Sequence, residues 1–204
     1  MIIDLHVHEH LFSACAVMSL EDAVKAARRR GLDGICITNH DSLDIRCAEY
    51  LHTVNFPVFV GVEFFTNEGE IIAFGLERLP SQPIGAQEFI NYVARKGGFC
   101  FAAHPFRKCG AGLGKHVYAV KNLPGVEVCN GANLDAENLE AVQACEDMGL
   151  IPLGGSDAHR IYEVGLCATW FPERITSERE LLTALKSGNC RPVVQKGDRT
   201  WMNY

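Results

Sequence analysis

Two hydrophobic patterns alternate along the chain. Short apolar runs at 2–5, 34–38, 58–62, 71–74, 99–103, 126–129 and 151–153 read as buried strands. Between them lie longer stretches whose apolar residues recur three or four apart, the spacing of one helical face. The first predicted helix starts after Ser19, with Asp22 as its capping-box partner. It presents Leu20, Ala23, Val24 and Ala27, and it stops at Gly31 behind Arg28-Arg29-Arg30, a run that complements the helix dipole. A second, at 87–96, carries Phe89, Ile90, Val93 and Ala94 and ends at Gly97. A third, at 135–148, buries Leu139, Val142 and Cys145 and ends at Gly149. The last follows Ser177, with Glu180 in a second capping box; it presents Leu181, Leu182 and Leu185 and stops at Gly188. Asn67-Glu68-Gly69 predicts a hairpin. Strands alternating with helices predict an α/β fold of about seven strands paired in parallel. No linker, low-complexity tract or repeat divides residues 1–204, which reads as one domain.

Composition narrows the classes. With 204 residues, 48% hydrophobic and 22% charged, the chain is neither collagen-like nor disordered nor a coiled coil. A chain of this length buries roughly 70% of its unfolded surface and needs no disulfide staples. No apolar run approaches the ~20 residues that span a bilayer. Met1-Ile2-Ile3-Asp4 does not open a signal peptide, so the expectation is a cytoplasmic protein with no membrane partner. The net charge of −6 argues against an extended nucleic-acid surface but admits a small phosphorylated substrate held by local cations. The nine cysteines lack any Cys-x-x-Cys pair. Cys36, Cys100 and Cys129 lie in strand-like runs and read as small buried apolar residues in a reducing cytosol.

The chemistry is in where the polar residues fall. Apolar strands end in Asp4-Leu5-His6-Val7-His8, in Thr38-Asn39-His40-Asp41, at Glu63, in Ala103-His104-Pro105 and in Gly155-Ser156-Asp157-Ala158-His159. Ligands of parallel α/β folds gather at the carboxyl ends of strands. Residues i and i+2 of an extended strand point the same way, so His6 with His8, and Asp157 with His159, can each grip one ion. Neutral imidazole and carboxylate suit Zn²⁺, Mn²⁺ or Fe²⁺. His52 reads as a surface histidine, and His10 as a loop position beside the site.

In this order the motifs His6-x-His8, His40-Asp41, Glu63, His104-Pro105 and Asp157-x-His159 resemble the polymerase-and-histidinol-phosphatase (PHP) domain. The resemblance implies a distorted (β/α)7 TIM-like barrel that binds two to three divalent ions and hydrolyses phosphoesters. It also implies the ligand sets: His6, His8, Glu63 and Asp157 for a first ion; Glu63 bridging to a second with His104 and Glu70; His40 and His159 for a third. The family often has histidine at the Glu70 position; a carboxylate there makes the site harder and more Mn²⁺-like. Cys15 stands where an acid or histidine usually completes the third pocket, and Asn39 where aspartate is common. Asp4 and Asp41 read as partners that orient the imidazoles.

The long segment 105–122 carries Arg107, Lys108, Lys115 and His116 among Gly110, Gly112 and Gly114. Arg107, three residues past His104, is the candidate phosphate fork. Arg160 is a weaker one, and His116 reads as solvent-facing. Asp157 and His159 join Arg107 as candidate catalytic residues. No serine or cysteine nucleophile is required, since Gly155-Ser156-Asp157 lacks the Gly-x-Ser-x-Gly frame. Three rivals stand beside a phosphomonoesterase or nucleotidase: an amidohydrolase barrel, which usually has a bridging lysine where this chain has Glu63; a nuclease acting on short oligonucleotides; and a metal-depleted module without activity. The tail Thr200-Trp201-Met202-Asn203-Tyr204 is expected to dock on the barrel or on a partner chain. Substrate identity and oligomeric state stay open.

Overall fold

The computed structural model describes residues 1–44, 54–108, 111–197 and 199–204; His52 and Gly110 lie outside the described residues. Its strands are β1 (Ile2–Val7), β2 (Gly34–Ile37), β3 (Val58–Thr66), β4 (Gly69–Phe74), β5 (Phe99–Ala102), β6 (Gly125–Asn130), β7 (Ile151–Gly155), β8 (Cys167–Trp170), β9 (Arg191–Gln195) and β10 (Trp201–Asn203). They form one sheet in the order β10-β9-β8-β1-β2-β3-β4-β5-β6-β7. The sheet curls until the end of β7 returns to β1. Asp157 N donates to His6 O at 2.8 Å, and His8 N donates to Ala158 O at 2.9 Å. A Cβ on Gly155 would sit 2.5 Å from His6 Cβ, so glycine permits this closure. The result is an α/β, distorted TIM-like barrel.

The expectation of about seven strands paired in parallel needs correction. β1–β2, β2–β3, β5–β6 and β6–β7 are parallel, whereas β3–β4, β4–β5, β1–β8, β8–β9 and β9–β10 are antiparallel. The hairpin pairs Thr66 with Gly69, which leaves no room for the dozen or more residues of a parallel crossover. The strands not foreseen are the short β8, β9 with Pro192 near its start, and β10 at the edge of the sheet. The tail docks on the barrel: β10 pairs with β9, and Trp201 packs against the cluster beneath α1 (Leu20–Arg30).

The helices begin where their caps predict. Ser19 Oγ accepts from Asp22 N, and Ser177 from Glu180 N ahead of α4 (Glu178–Ser187). α2 (Ala86–Arg95) buries Phe89, Ile90 and Val93, but Ala94 is exposed. α3 (Asp135–Met148) turns Ala141, Ala144 and Cys145 inward and leaves Leu139 63% exposed. The cause is polar. Asn138 exchanges hydrogen bonds with the backbone of Asn130, and Glu137 Oε1 accepts from Lys108 N, which rotates those positions toward the sheet.

β3 and β4 show how the core divides. Val62, Phe64, Ile71 and Ala73 pack with Phe89 of α2, while Ile72 and Phe74 join Phe99, Phe101 and Leu153 on the inner face. Gly61 leaves the space that the Phe74 ring fills, since a Cβ there would lie 2.5 Å from it. The described part of the 105–122 segment is a strap. Glu70 N donates to Ala111 O at 2.8 Å, and a Cβ on Gly112 would meet Pro105 O at 2.4 Å. A short 3-10 helix, Gly114–Tyr118, follows, with His116 exposed on it.

Candidate metal centre

The polar residues converge at one end of the barrel. His6 is the last residue but one of β1 and His8 follows the strand, His40 follows β2, His104 follows β5, and Asp157 and His159 follow β7. Glu63 lies within β3. Glu70 reaches the same end because β4 runs antiparallel, so its first residues stand beside the last ones of β3. His6, His8, Glu63, Glu70, His104 and Asp157 are all buried; His40 and His159 are partly so.

Their donor atoms crowd. His6 Nε2 and His8 Nε2 are 3.0 Å apart. Glu63 Oε1 lies 2.8 Å from His104 Nε2 and 3.2 Å from His6 Nε2, and Glu63 Oε2 lies 3.2 Å from His8 Nε2 and 3.1 Å from His40 Nδ1. Asp157 Oδ1 is 3.3 Å from both His6 Nε2 and His8 Nε2. Glu70 is 3.3 Å from His40 Nδ1 and 3.5 Å from His104 Nε2. Among the described residues three groups have ligand atoms within 4.8 Å of one another: His6, His8, Glu63 and Asp157; His40, Glu63 and Glu70; His8, His40 and His159. Glu63, His8 and His40 each belong to two groups. His104 lies on the Glu63–Glu70 pair. Cys15 is exposed and joins none of these groups among the described residues.

This donor set fits divalent cations. Glu63 Oε2 is buried without a well-aligned hydrogen bond, and His104 Nδ1 has none. Two imidazole nitrogens facing each other at hydrogen-bond distance, ringed by carboxylates, need a shared positive charge between them. In the metal-free chain that charge is protonic. Burial pulls His6 down, but Asp157, Glu63 and Glu127 outweigh it and hold the imidazole well above the usual histidine range. His8 is also raised, against its burial, by Asp157 and Glu63. Glu63 and Asp157 are held well below the usual carboxylate range, against their burial, chiefly by His6.

A hydrogen-bond frame aims the rings. Glu127 Oε1 lies 3.1 Å from His6 Nδ1, and its Oε2 accepts from His104 N at 2.8 Å and Asn130 Nδ2 at 2.9 Å. Ser13 Oγ donates to Asn39 Oδ1 at 2.9 Å and lies 3.2 Å from His8 Nδ1. His159 Nδ1 bonds Asp157 O at 2.9 Å. Each contact ties up Nδ1 as a donor and turns an Nε2 lone pair into the cup. Asp41, His104 and Asp157 have φ of 49°, 26° and 55°, so the backbone is strained where the site is assembled.

Several sequence expectations shift here. Asp4 and Asp41 do not orient imidazoles. Asp4 is buried and accepts from the backbone of His6, Ser156 and Gly165, and burial raises its pKa to about 6 despite those bonds. Asp41 Oδ1 accepts from Phe65 N. Both sit at chain crossings, where backbone N–H groups claim the carboxylate. Asn39 is a buried linker whose amide joins Glu9 and Ser13. Arg107 Nε donates to Asn133 Oδ1 and Nη2 to Asn130 Oδ1, both at 2.8 Å, and Nη2 stands 2.6 Å from Asp157 Oδ2. Arg160 is exposed and pairs with Glu163, and His10 is exposed against Met18 O. The residues that sequence reasoning missed are Glu127, Ser13, Glu9 and Asn130. Glu127 did leave a signal, as a lone acid inside the apolar run Val126 to Cys129.

The comparisons agree with this geometry. A family model described as PHP-associated matches residues 135–190. An uncharacterized protein of Methanocaldococcus jannaschii is 30% identical over 182 residues, covering 85% of this chain and 71% of its own. A two-domain protein of Bacteroides vulgatus, described as containing a predicted PHP-like metal-dependent phosphoesterase, superposes with a TM-score of 0.72 at 22% identity, over 94% of this chain and 64% of its own. The lesion-specific endonuclease PfuEndoQ of Pyrococcus furiosus does so with 0.67 at 19% identity, over 91% of this chain and 56% of its own. These two structures share the fold.

Proposed function

This chain belongs to the PHP domain family, and from that premise we propose that it is a metal-dependent phosphoesterase acting on a small phosphomonoester or nucleotide. The observation that carries the reading is the buried convergence of imidazoles and carboxylates into three ligand groups that share Glu63, His8 and His40. His6, His8, Glu63 and Asp157 would hold one ion, and Glu63 with Glu70, His104 and His40 a second. His8, His40 and His159 would hold a third. Mn²⁺, Zn²⁺ and Fe²⁺ suit this mixture of donors. When bound, such ions supply Lewis acidity, which acidifies water and offsets charge on phosphoryl oxygens.

The chain's own residues do the positioning. Asn130 and Asn133 fix the Arg107 guanidinium beside Asp157 through Nε and Nη2, which leaves Nη1 to meet a phosphoryl oxygen and follow its growing charge. Asp157 holds both Arg107 and the histidine pair, so substrate and ions share one register. His159 is pulled below the usual histidine range by burial and by His8, so its imidazole is neutral near pH 7. With Nδ1 bonded to Asp157 O, its Nε2 is left to hold an ion or accept a proton. The free thiols Cys36, Cys100, Cys129, Cys145 and Cys167 fit a reducing, cytoplasmic setting. Among the described residues no helix is long and apolar enough to cross a membrane.

A panel of phosphomonoesters run with elemental analysis tests the reading. Chelator is expected to abolish hydrolysis and Mn²⁺ or Zn²⁺ to restore it; full activity in chelator overturns it. Fewer than two ions per chain after metal-replete growth points to a non-catalytic module. The fold likeness to a lesion-specific endonuclease favours a second reading, a nuclease acting on short oligonucleotides. Turnover of oligonucleotides in preference to monoesters selects it.

A further inference from the structure

Phe65 stands two residues beyond Glu63 on the inner face of β3 and directly opposite Glu70 on β4. Two strand residues span about 6.6 Å, so the ring sits at the mouth of the cup, one step above Glu63 and level with Glu70. Its neighbours Glu63 and Phe64 are buried, yet Phe65 is 50% exposed. A cleft of about 250 Å³ opens against it, walled by Leu79, Pro80, Pro83 and Asp41. A drug-sized site is ~300–1,000 Å³, so this cleft suits a single ring system. Its Asp41 wall is held in place. Phe65 N donates to Asp41 Oδ1 and Asp41 N donates to Glu63 O, both at 3.0 Å, so the cleft is tied to the backbone that carries the ligands. Among the described residues Asp41 is the sole charge on the lining.

We propose that this cleft is the leaving-group subsite: Phe65 stacks on a planar, uncharged or cationic ring of the substrate alcohol while the phosphoryl group occupies the cup. This rests on the phosphoesterase reading and deepens it. An aromatic face and two prolines offer flat apolar contact, which accepts rings of many kinds. Asp41 adds an acceptor for ring N–H groups and repels an anionic substituent, so a second phosphate or a carboxylate on the ring is disfavoured.

The test uses the full chain loaded with Mn²⁺, with naphthyl phosphate and glycerol phosphate as paired substrates. Phe65→Ala is expected to raise KM for the naphthyl ester about ten- to hundred-fold, the range of one lost stacking contact. It should leave kcat near its original value and both constants for the glycerol ester unchanged, and Phe65→Trp should restore the naphthyl KM. Equal changes for the two esters, or none, overturn the subsite. If the loaded enzyme hydrolyses neither ester, the phosphoesterase reading falls, and the cleft is judged by calorimetric binding of naphthol alone. Binding lost in Phe65→Ala then supports the ring site, and binding that is absent or unchanged in the variant overturns it.

Discussion

The inner face of the barrel has two ends, and they solve opposite problems with the same strands. Along β4 the inward residues run Glu70, Ile72, Phe74; along β3 they run Phe59, Gly61, Glu63. At one end Phe74, Phe99, Phe101 and Leu153 fill space with carbon, and Gly61 is absent bulk that Phe74 replaces. At the other end the same pleat carries acids and imidazoles, whose mutual contacts leave a buried carboxylate oxygen without a well-aligned hydrogen bond. The apolar end is complete as it stands. The polar end is held by Glu127, Ser13, Asp4 and Asn39, and it needs added positive charge to reach its best state.

That contrast is broken most directly by changing each end in turn. Glu63→Gln keeps shape and volume but removes the negative charge shared by two ligand groups. Activity should fall about 10³-fold or more with the far-UV spectrum unchanged. Retained activity would show that Glu63 is not shared between ions. Phe101→Ala should do the reverse: a loss of about 3–5 kcal/mol on denaturant unfolding, with kcat of the folded fraction kept. A loss of kcat without loss of stability would mean that the two ends are mechanically coupled.

Acidity separates the ends further. His6 and His8 are raised in the folded metal-free chain, so the stability they contribute is fully present below about pH 6.5 and is lost as pH rises through their folded values. Glu63 and Asp157 are lowered, so their contribution is present above the ordinary carboxylate range and is lost as pH falls through their folded values. Asp4, raised to about 6, is protonated more readily when folded; deprotonating it between 3.8 and about 6 costs about 3 kcal/mol at 1.36 kcal/mol per pH unit. Ions compete with the histidine protons, so the stabilisation by Mn²⁺, followed as a rise in Tm, should grow from about pH 6 to pH 8, reaching the ~2.7 kcal/mol expected at a hundredfold excess over Kd. A gain independent of pH in that window would mean that the imidazoles do not bind the ions.

The legible parts of the molecule follow from locality. Ser19-Asp22 and Ser177-Glu180 announce their helices because a cap is made within four residues. The strand-end histidines stand out because polarity changes abruptly after an apolar run. What stayed hidden depends on partners distant in the chain. Leu139 matches a helical apolar face, but Asn138 and Glu137 bind the end of β6 and the loop before it, and that rotates the helix. The antiparallel β8, β9 and β10 are short, and their pairing is decided by the sheet edge they meet. Asp41 follows a ligand histidine in sequence, yet its carboxylate is taken by the Phe65 backbone.

Glu127 belongs to the frame rather than to either end, and it gives the finest test. Its Oε2 accepts two N–H groups, from His104 and Asn130, while Oε1 faces His6 Nδ1 alone. In Glu127→Gln the amide oxygen must keep the two-donor position, so the NH₂ group turns toward His6. His6 Nδ1 then has to accept, which moves the ring proton to Nε2 and points it into the cup where a lone pair was. Affinity for Mn²⁺ should fall about 10- to 100-fold, the usual cost of losing such a supporting contact. The proton released from His6 on ion binding should still be seen by calorimetry in buffers of different ionisation enthalpy. Unchanged affinity would place the tautomer of His6 under some other control and would make the polar end far less dependent on its frame than the apolar end is on its packing.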